Sequence, residues 1–142
     1  MRGGPVPVTS ERPTRSARAA CARWVAIENE FGLLTGGEVD VLLRSSSPPA
    51  GCLAAERRIL GVATKAGRVL YPGFQFDRQV GVVHPVIAEV AQLGLEAGWK
   101  DRHLLQWLCV PNGYLAGERP VDILDNRERL LAAAHTDLEA LW

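Results

Sequence analysis

Glycine and proline punctuate this chain so closely that its regular elements are short. Gly3, Gly4, Pro5, Pro7 and Pro13 mark residues 1–13 as a flexible arm. From about Arg15 the spacing predicts a helix, with Ala20, Trp24, Ile27 and Phe31 on one face and Gly32 near its end. Thr35-Gly36-Gly37-Glu38 has the form of a capping box and opens a short helix through Val39, Leu42 and Leu43. Ser45 to Pro49 is a turn, and the helix after it is expected over residues 50–60. Val62, Val69, Tyr71, Phe74 and Phe76 are β-formers, and Lys65-Ala66-Gly67-Arg68 between them reads as a hairpin turn. After Asp77 the pattern turns helical again. His84-Pro85 opens a helix carrying Val86, Ile87, Val90 and Leu93, limited by Gly94 and Gly98. Asp101 is placed to cap a short helix with Leu104, Leu105, Trp107 and Leu108, ended by Pro111-Asn112-Gly113. Pro120 is expected as the first residue of a final helix bearing Ile123, Leu124, Leu130, Leu131, Ala134, Leu138 and Leu141.

With 142 residues, 47% of them hydrophobic and 23% charged, the chain has a globular composition. Sixteen basic residues offset sixteen acidic ones, so net charge predicts no partner, but the distribution is uneven. Residues 1–24 hold five Arg against one Glu, a net +4. Residues 56–78 hold four Arg and one Lys against two acids, a net +3. Residues 118–142 hold six acids against three Arg, a net −3. The three cysteines, Cys21, Cys52 and Cys109, are far apart, without a CxxC, which argues against a disulfide framework and a cysteine-built zinc site. No apolar run approaches the roughly 20 residues of a membrane span, and no signal peptide is evident, so a cytoplasmic location is expected.

The most specific pattern lies near the C-terminus. Trp107-Leu108, Pro111-Asn112-Gly113, Leu115, Gly117 and Arg119-Pro120-Val121-Asp122-Ile123-Leu124 resemble the toxin-binding domain of the Xre/MbcA/ParS antitoxin family. Tyr71-Pro72-Gly73-Phe74-Gln75-Phe76-Asp77 is similar to a segment preceding that domain in many members. The resemblance covers about residues 70–142. It implies a cognate toxin as partner, a RES-type enzyme that degrades NAD, blocked by a C-terminal segment. Asn112, Tyr114, Leu115, Arg119, Asp122, Leu138 and Trp142 are the expected partner-binding residues. The other role open to Asn112, Arg119 and Asp122 is to build the loop itself: Asn112 through its own backbone, Arg119 by pairing with Asp122.

Helix, turn, helix and basic-tipped hairpin is the order of a winged helix-turn-helix. Residues 38–43, Ser46 and Arg58-Ile59-Leu60-Gly61-Val62 resemble the excisionase-like DNA-binding proteins. That implies operator DNA as a second partner, with Arg57 and Arg58 on a recognition helix and Lys65 and Arg68 on the wing. Arg44 stands where the turn usually has glycine, and Pro48, Pro49 and Gly51 fall where helix residues are usual, which weighs against direct base reading.

The expected fold is mainly α, a winged helix-turn-helix with a small β-hairpin followed by a C-terminal helical bundle. It divides into an arm (1–13), a helix plus winged helix-turn-helix-like unit (14–78) and a helical toxin-binding-like domain (79–142). No catalytic residue, metal ligand or cofactor is expected, because His84, His103 and His135 are dispersed and no GxSxG, P-loop or HExxH is present. His103 and Trp107 are expected to pack as a pair. An antitoxin-like protein forming homo-oligomers is the leading expectation. A DNA-binding regulator without a toxin, or a self-associating adaptor, are the alternatives.

Overall fold

The computed structural model describes residues 14–44 and 48–139. The arm over 1–13, Ser46, Leu141 and Trp142 lie outside the described residues. Helices predominate, and the sheets are small and antiparallel.

Thr14 starts α1 (Arg15–Phe31) by accepting the Ala17 N–H at 3.0 Å, and Gly32 ends it at φ 80°. Ile27 is buried and Trp24 and Phe31 are partly buried, as the spacing predicts. Strand β1 (Leu33–Leu34) follows, then α2 (Gly36–Leu43) behind the reciprocal Thr35–Glu38 capping box. The next helix, α3 (Ala50–Ala55), is capped from α2, because Asp40 Oδ1 accepts the Ala50 N–H at 2.8 Å.

The helix expected over 50–60 thus ends after Ala55. Arg57 takes φ 60°, and its side chain turns to the C-terminal half, donating to Asp101 Oδ1 at 2.6 Å and to the Ala91 carbonyl at 2.8 Å. Two charge-assisted bonds offset a left-handed residue costing about 1–2 kcal/mol.

Strands β2 (Val62–Ala63) and β3 (Val69–Pro72) form the expected hairpin, with Gly67 at φ 84° in its turn. Strand β1 joins the other edge of β3, giving the order β1-β3-β2, with Leu34 opposite Tyr71 and Val62 opposite Leu70. After a 3-10 turn at Gly73–Gln75, a second hairpin pairs β4 (Phe76–Asp77) with β5 (Val82–Val83). The sequence reading goes straight to helix here; two-residue strands leave no periodicity to detect.

Helix α4 (Pro85–Ala97) runs through Gly94 and ends at Gly98 in the left-handed conformation. Gly94 is not a terminator. A Cβ there would lie 2.7 Å from Leu104 Cδ2, so the glycine lets α4 and α5 (Asp101–Leu108) approach closely. Lys100, not Asp101, occupies the cap position of α5. Pro120 opens only a 3-10 turn, Pro120–Ile123, and the final helix α6 (Arg127–Glu139) begins seven residues after that proline.

Two apolar clusters result. The smaller joins Val39, Leu43, Ala50, Leu53, Ile59, Tyr71 and Phe76. The larger gathers α4, α5, α6 and the loop before α6, and it also takes in Ile27, Leu60 and Phe74 from the N-terminal half. Gln75 seals the junction although fully buried. Its Oε1 accepts the Leu60 N–H at 2.6 Å, and its Nε2 donates to the Leu60 and Pro72 carbonyls at 2.7 and 3.2 Å.

Candidate interaction face and wing

Residues 111–124 link α5 to α6 and carry most of the expected partner-binding positions. Asn112 is their hub. Its Nδ2 donates to Asp137 Oδ2 at 2.8 Å, its Oδ1 accepts the Tyr114 N–H at 2.8 Å, and its carbonyl accepts the Leu115 and Gly117 N–H groups. Trp107 Nε1 donates to the same Asp137 oxygen at 2.9 Å. One carboxylate on α6 therefore fixes both Trp107 in the last turn of α5 and Asn112 near the start of the loop. Of the expected His103–Trp107 pair, His103 is exposed and Trp107 is buried.

The loop's other flank is tied to α1. Arg119 donates to both Glu30 oxygens at 2.9 and 2.7 Å and to both Asp122 oxygens at 2.8 and 3.0 Å. Its guanidinium carbon lies 5.8 Å from the Phe31 ring centroid. Hydrogen bonds from Arg119 hold the carboxyls of Glu30 and Asp122 below their ordinary range, and bonds to both hold the Arg119 guanidinium more firmly protonated. Arg129 closes a third tie, donating to Glu118 at 3.0 Å and to the Leu115 carbonyl at 3.3 Å.

These ties sort the expected residues. Asn112, Arg119 and Asp122 are engaged in building the loop. Leu115 and Leu138 are 1% and 0% exposed and belong to the larger core, so the direct partner contact expected of them is corrected: their side chains are already used inside the chain. Trp142 lies outside the described residues. Tyr114 is at the surface, 65% exposed. Sequence reasoning missed Glu30 and Asp137, whose partners are distant in sequence. The only hint was that both follow the helical stripe without belonging to it.

The expected DNA-contacting residues separate similarly. Lys65 and Arg68 are exposed on the β2–β3 hairpin, with no ion-pair partner among the described residues. Arg58 is exposed, 3.8 Å from Glu56. Arg57 is engaged with Asp101 and is not on a recognition helix. The exposed positions of α3 are Gly51, Cys52 and Ala55, none of them a cation.

A crevice of about 90 Å³ between α1 and α5 is lined by Ile27, Phe31, Cys109, Val110 and the Arg119–Glu30 pair. Burial pushes the Cys109 thiol up to about 12, which keeps it protonated. Among the described residues no cluster of three or more His, Cys, Asp or Glu side chains could hold a metal ion, and no helix is long and apolar enough to cross a membrane. Comparison of the chain with protein-family models, with curated proteins and with solved structures found no match.

Proposed function

We propose that this chain is an antitoxin-like protein that binds and neutralises a partner toxin through residues 111–124. The observation that carries the reading is the exposure of Tyr114 on a loop anchored from two sides, by Asn112–Asp137 and by Arg119–Glu30. A large aromatic held on a pre-ordered loop buries much area at low entropic cost, the character of an interface anchor. Exposed Asp125 and Glu128 lie with Arg127 at the start of α6, and residues 118–142 as a whole carry six acids against three Arg, an acidic rim in net charge. Such a rim suits a RES-type, NAD-degrading toxin whose pocket is built for pyrophosphate, the partner implied by the family resemblance. In the cytoplasm of this reading, the three free cysteines stay reduced.

Deleting the chain after Leu124 is a poor test, because α6 supplies Leu130, Ala134 and Leu138 to the shared core. Tyr114→Asp is better, since it changes an exposed side chain. Co-expressed with a RES-type toxin against which the parent chain restores growth, the variant is expected to lose that rescue while melting like the parent chain. Full rescue by Tyr114→Asp sinks the reading.

A second reading, DNA binding, is favoured by connectivity. The element order α1, β1, α2, α3, β2, β3, with sheet order β1-β3-β2, supports reading this half as a winged helix-turn-helix. With no cation on the exposed positions of α3, phosphate contact by Lys65 and Arg68 is the mode we propose. A gel-shift assay across salt concentrations tests it: affinity falls steeply with salt and Lys65→Ala/Arg68→Ala flattens the slope, whereas a salt-independent shift rejects it.

A further inference from the structure

The concavities on this molecule differ in the charge of their linings. The crevice at Arg119 holds the closed Arg119–Glu30 ion pair together with Arg23, and the hollow at the start of α6 is lined by Asp122, Asp125 and Glu128 with Arg127, which is paired to Glu89. A third hollow, of about 230 Å³, lies where α1, the wing and α5 meet. Its walls are the apolar side chains of Trp24, Leu33, Val62 and Leu70. Both of its charged residues, Lys65 from the wing and Arg102 from α5, are cations. Neither makes an ion pair among the described residues. Thr64 completes the polar side. Its Oγ1 accepts the Arg68 N–H at 3.2 Å, which leaves its own O–H to donate.

An apolar floor, two cations without a counter-charge and a spare hydroxyl donor define complementarity to one chemical class. We propose that this hollow binds a small amphipathic carboxylate, its apolar body against Trp24, Val62 and Leu70 and its oxygens between Lys65 and Arg102. The guanidinium fork and the ammonium suit a carboxylate together, and water displaced from the floor adds to affinity. The volume is below the roughly 300–1,000 Å³ that drug-sized ligands occupy, so the body is a short aliphatic chain or a single ring. Because the lining comes from both the wing and α5, an occupant bridges the N-terminal and C-terminal halves.

Octanoate and octanol, titrated calorimetrically into the full chain, test this. Octanoate is expected to bind about tenfold or more tightly than octanol. Lys65→Ala/Arg102→Ala, both at exposed positions, is expected to lower octanoate affinity about tenfold and leave octanol unchanged. Val62→Trp, filling the floor, is expected to abolish both, with circular dichroism checking its fold. If that variant does not fold, the charge variant decides alone. Equal octanoate binding by the parent and the charge variant overturns the proposal. So does no binding of octanoate, including the case where a DNA duplex binds through Lys65 and Arg102 instead.

Discussion

Arg119 holds both carboxylate oxygens of Glu30, a residue 89 positions earlier in the chain, at 2.9 and 2.7 Å. This ion pair ties the loop before α6 to the end of the first helix. Both partners are partly exposed, so the pair contributes modestly, about 0.5–1 kcal/mol by the measure of surface pairs. Its pH signature is distinct. Glu30 and Asp122 have folded-state pKa values below their ordinary ones, so the stability they add is present above the unfolded values, near 4.5 and 3.8, and is lost as pH falls through the folded ones. Melting temperature is expected to drop more steeply below about pH 5 in the parent chain than in Arg119→Ala. Parallel curves for the two proteins reject this assignment.

Asp137 accepts from Trp107 and Asn112 together. Asp137→Ala leaves two partly or wholly buried donors unpaired and is expected to cost about 2–4 kcal/mol in urea denaturation. Asp137→Asn keeps one acceptor oxygen and is expected to cost less. A loss under about 0.5 kcal/mol for the alanine variant shows that water replaces the carboxylate.

Gln75 satisfies the Leu60 N–H and carbonyl inside the protein. Gln75→Leu retains apolar bulk but orphans those groups, with an expected loss of about 2–4 kcal/mol. Hydrogen exchange at Leu60 is expected to accelerate in the same variant. Unchanged exchange there contradicts the role given to the side chain.

Arg44 closes α2 at φ 61° and ψ −178°, a conformation natural to glycine. Arg44→Gly is expected to raise stability by about 1 kcal/mol, seen as a higher denaturation midpoint with unchanged slope. A lower midpoint shows that the arginine side chain contributes more than its backbone strain costs.

Cys21 and Cys52 are exposed, whereas Cys109 is partly buried with its thiol pushed up to about 12. Iodoacetamide at neutral pH is expected to label Cys21 and Cys52 in the folded chain and to reach Cys109 only after unfolding. Mass spectrometry of the digested protein reads the result directly. Rapid labelling of Cys109 in the folded chain contradicts its burial.

The helices were legible wherever apolar spacing ran for three turns or a cap had a local sequence form. Thr35–Glu38, the stripe of α1 and the α4 residues Val86, Ile87 and Val90 are such cases. What escaped depends on distant partners. Leu33–Leu34 is a strand because β3 lies beside it, and α3 stops because Arg57 finds Asp101 on α5. At the loop, the identities of Asn112, Arg119 and Asp122 were readable, but their inward use was settled by Asp137 and Glu30, which no local pattern joins to them. Leu115 and Leu138 were offered to a partner by the family resemblance, and neither a loop position nor a helical stripe reveals which neighbour covers a side chain.

The Phe31 ring beneath Arg119 has a mechanical consequence. Two residues after Phe31, Leu33 begins the strand that pairs with β3, itself one side of the β2–β3 hairpin. The loop at Arg119 and the β2–β3 hairpin are therefore joined through one short run of chain, residues 31–34.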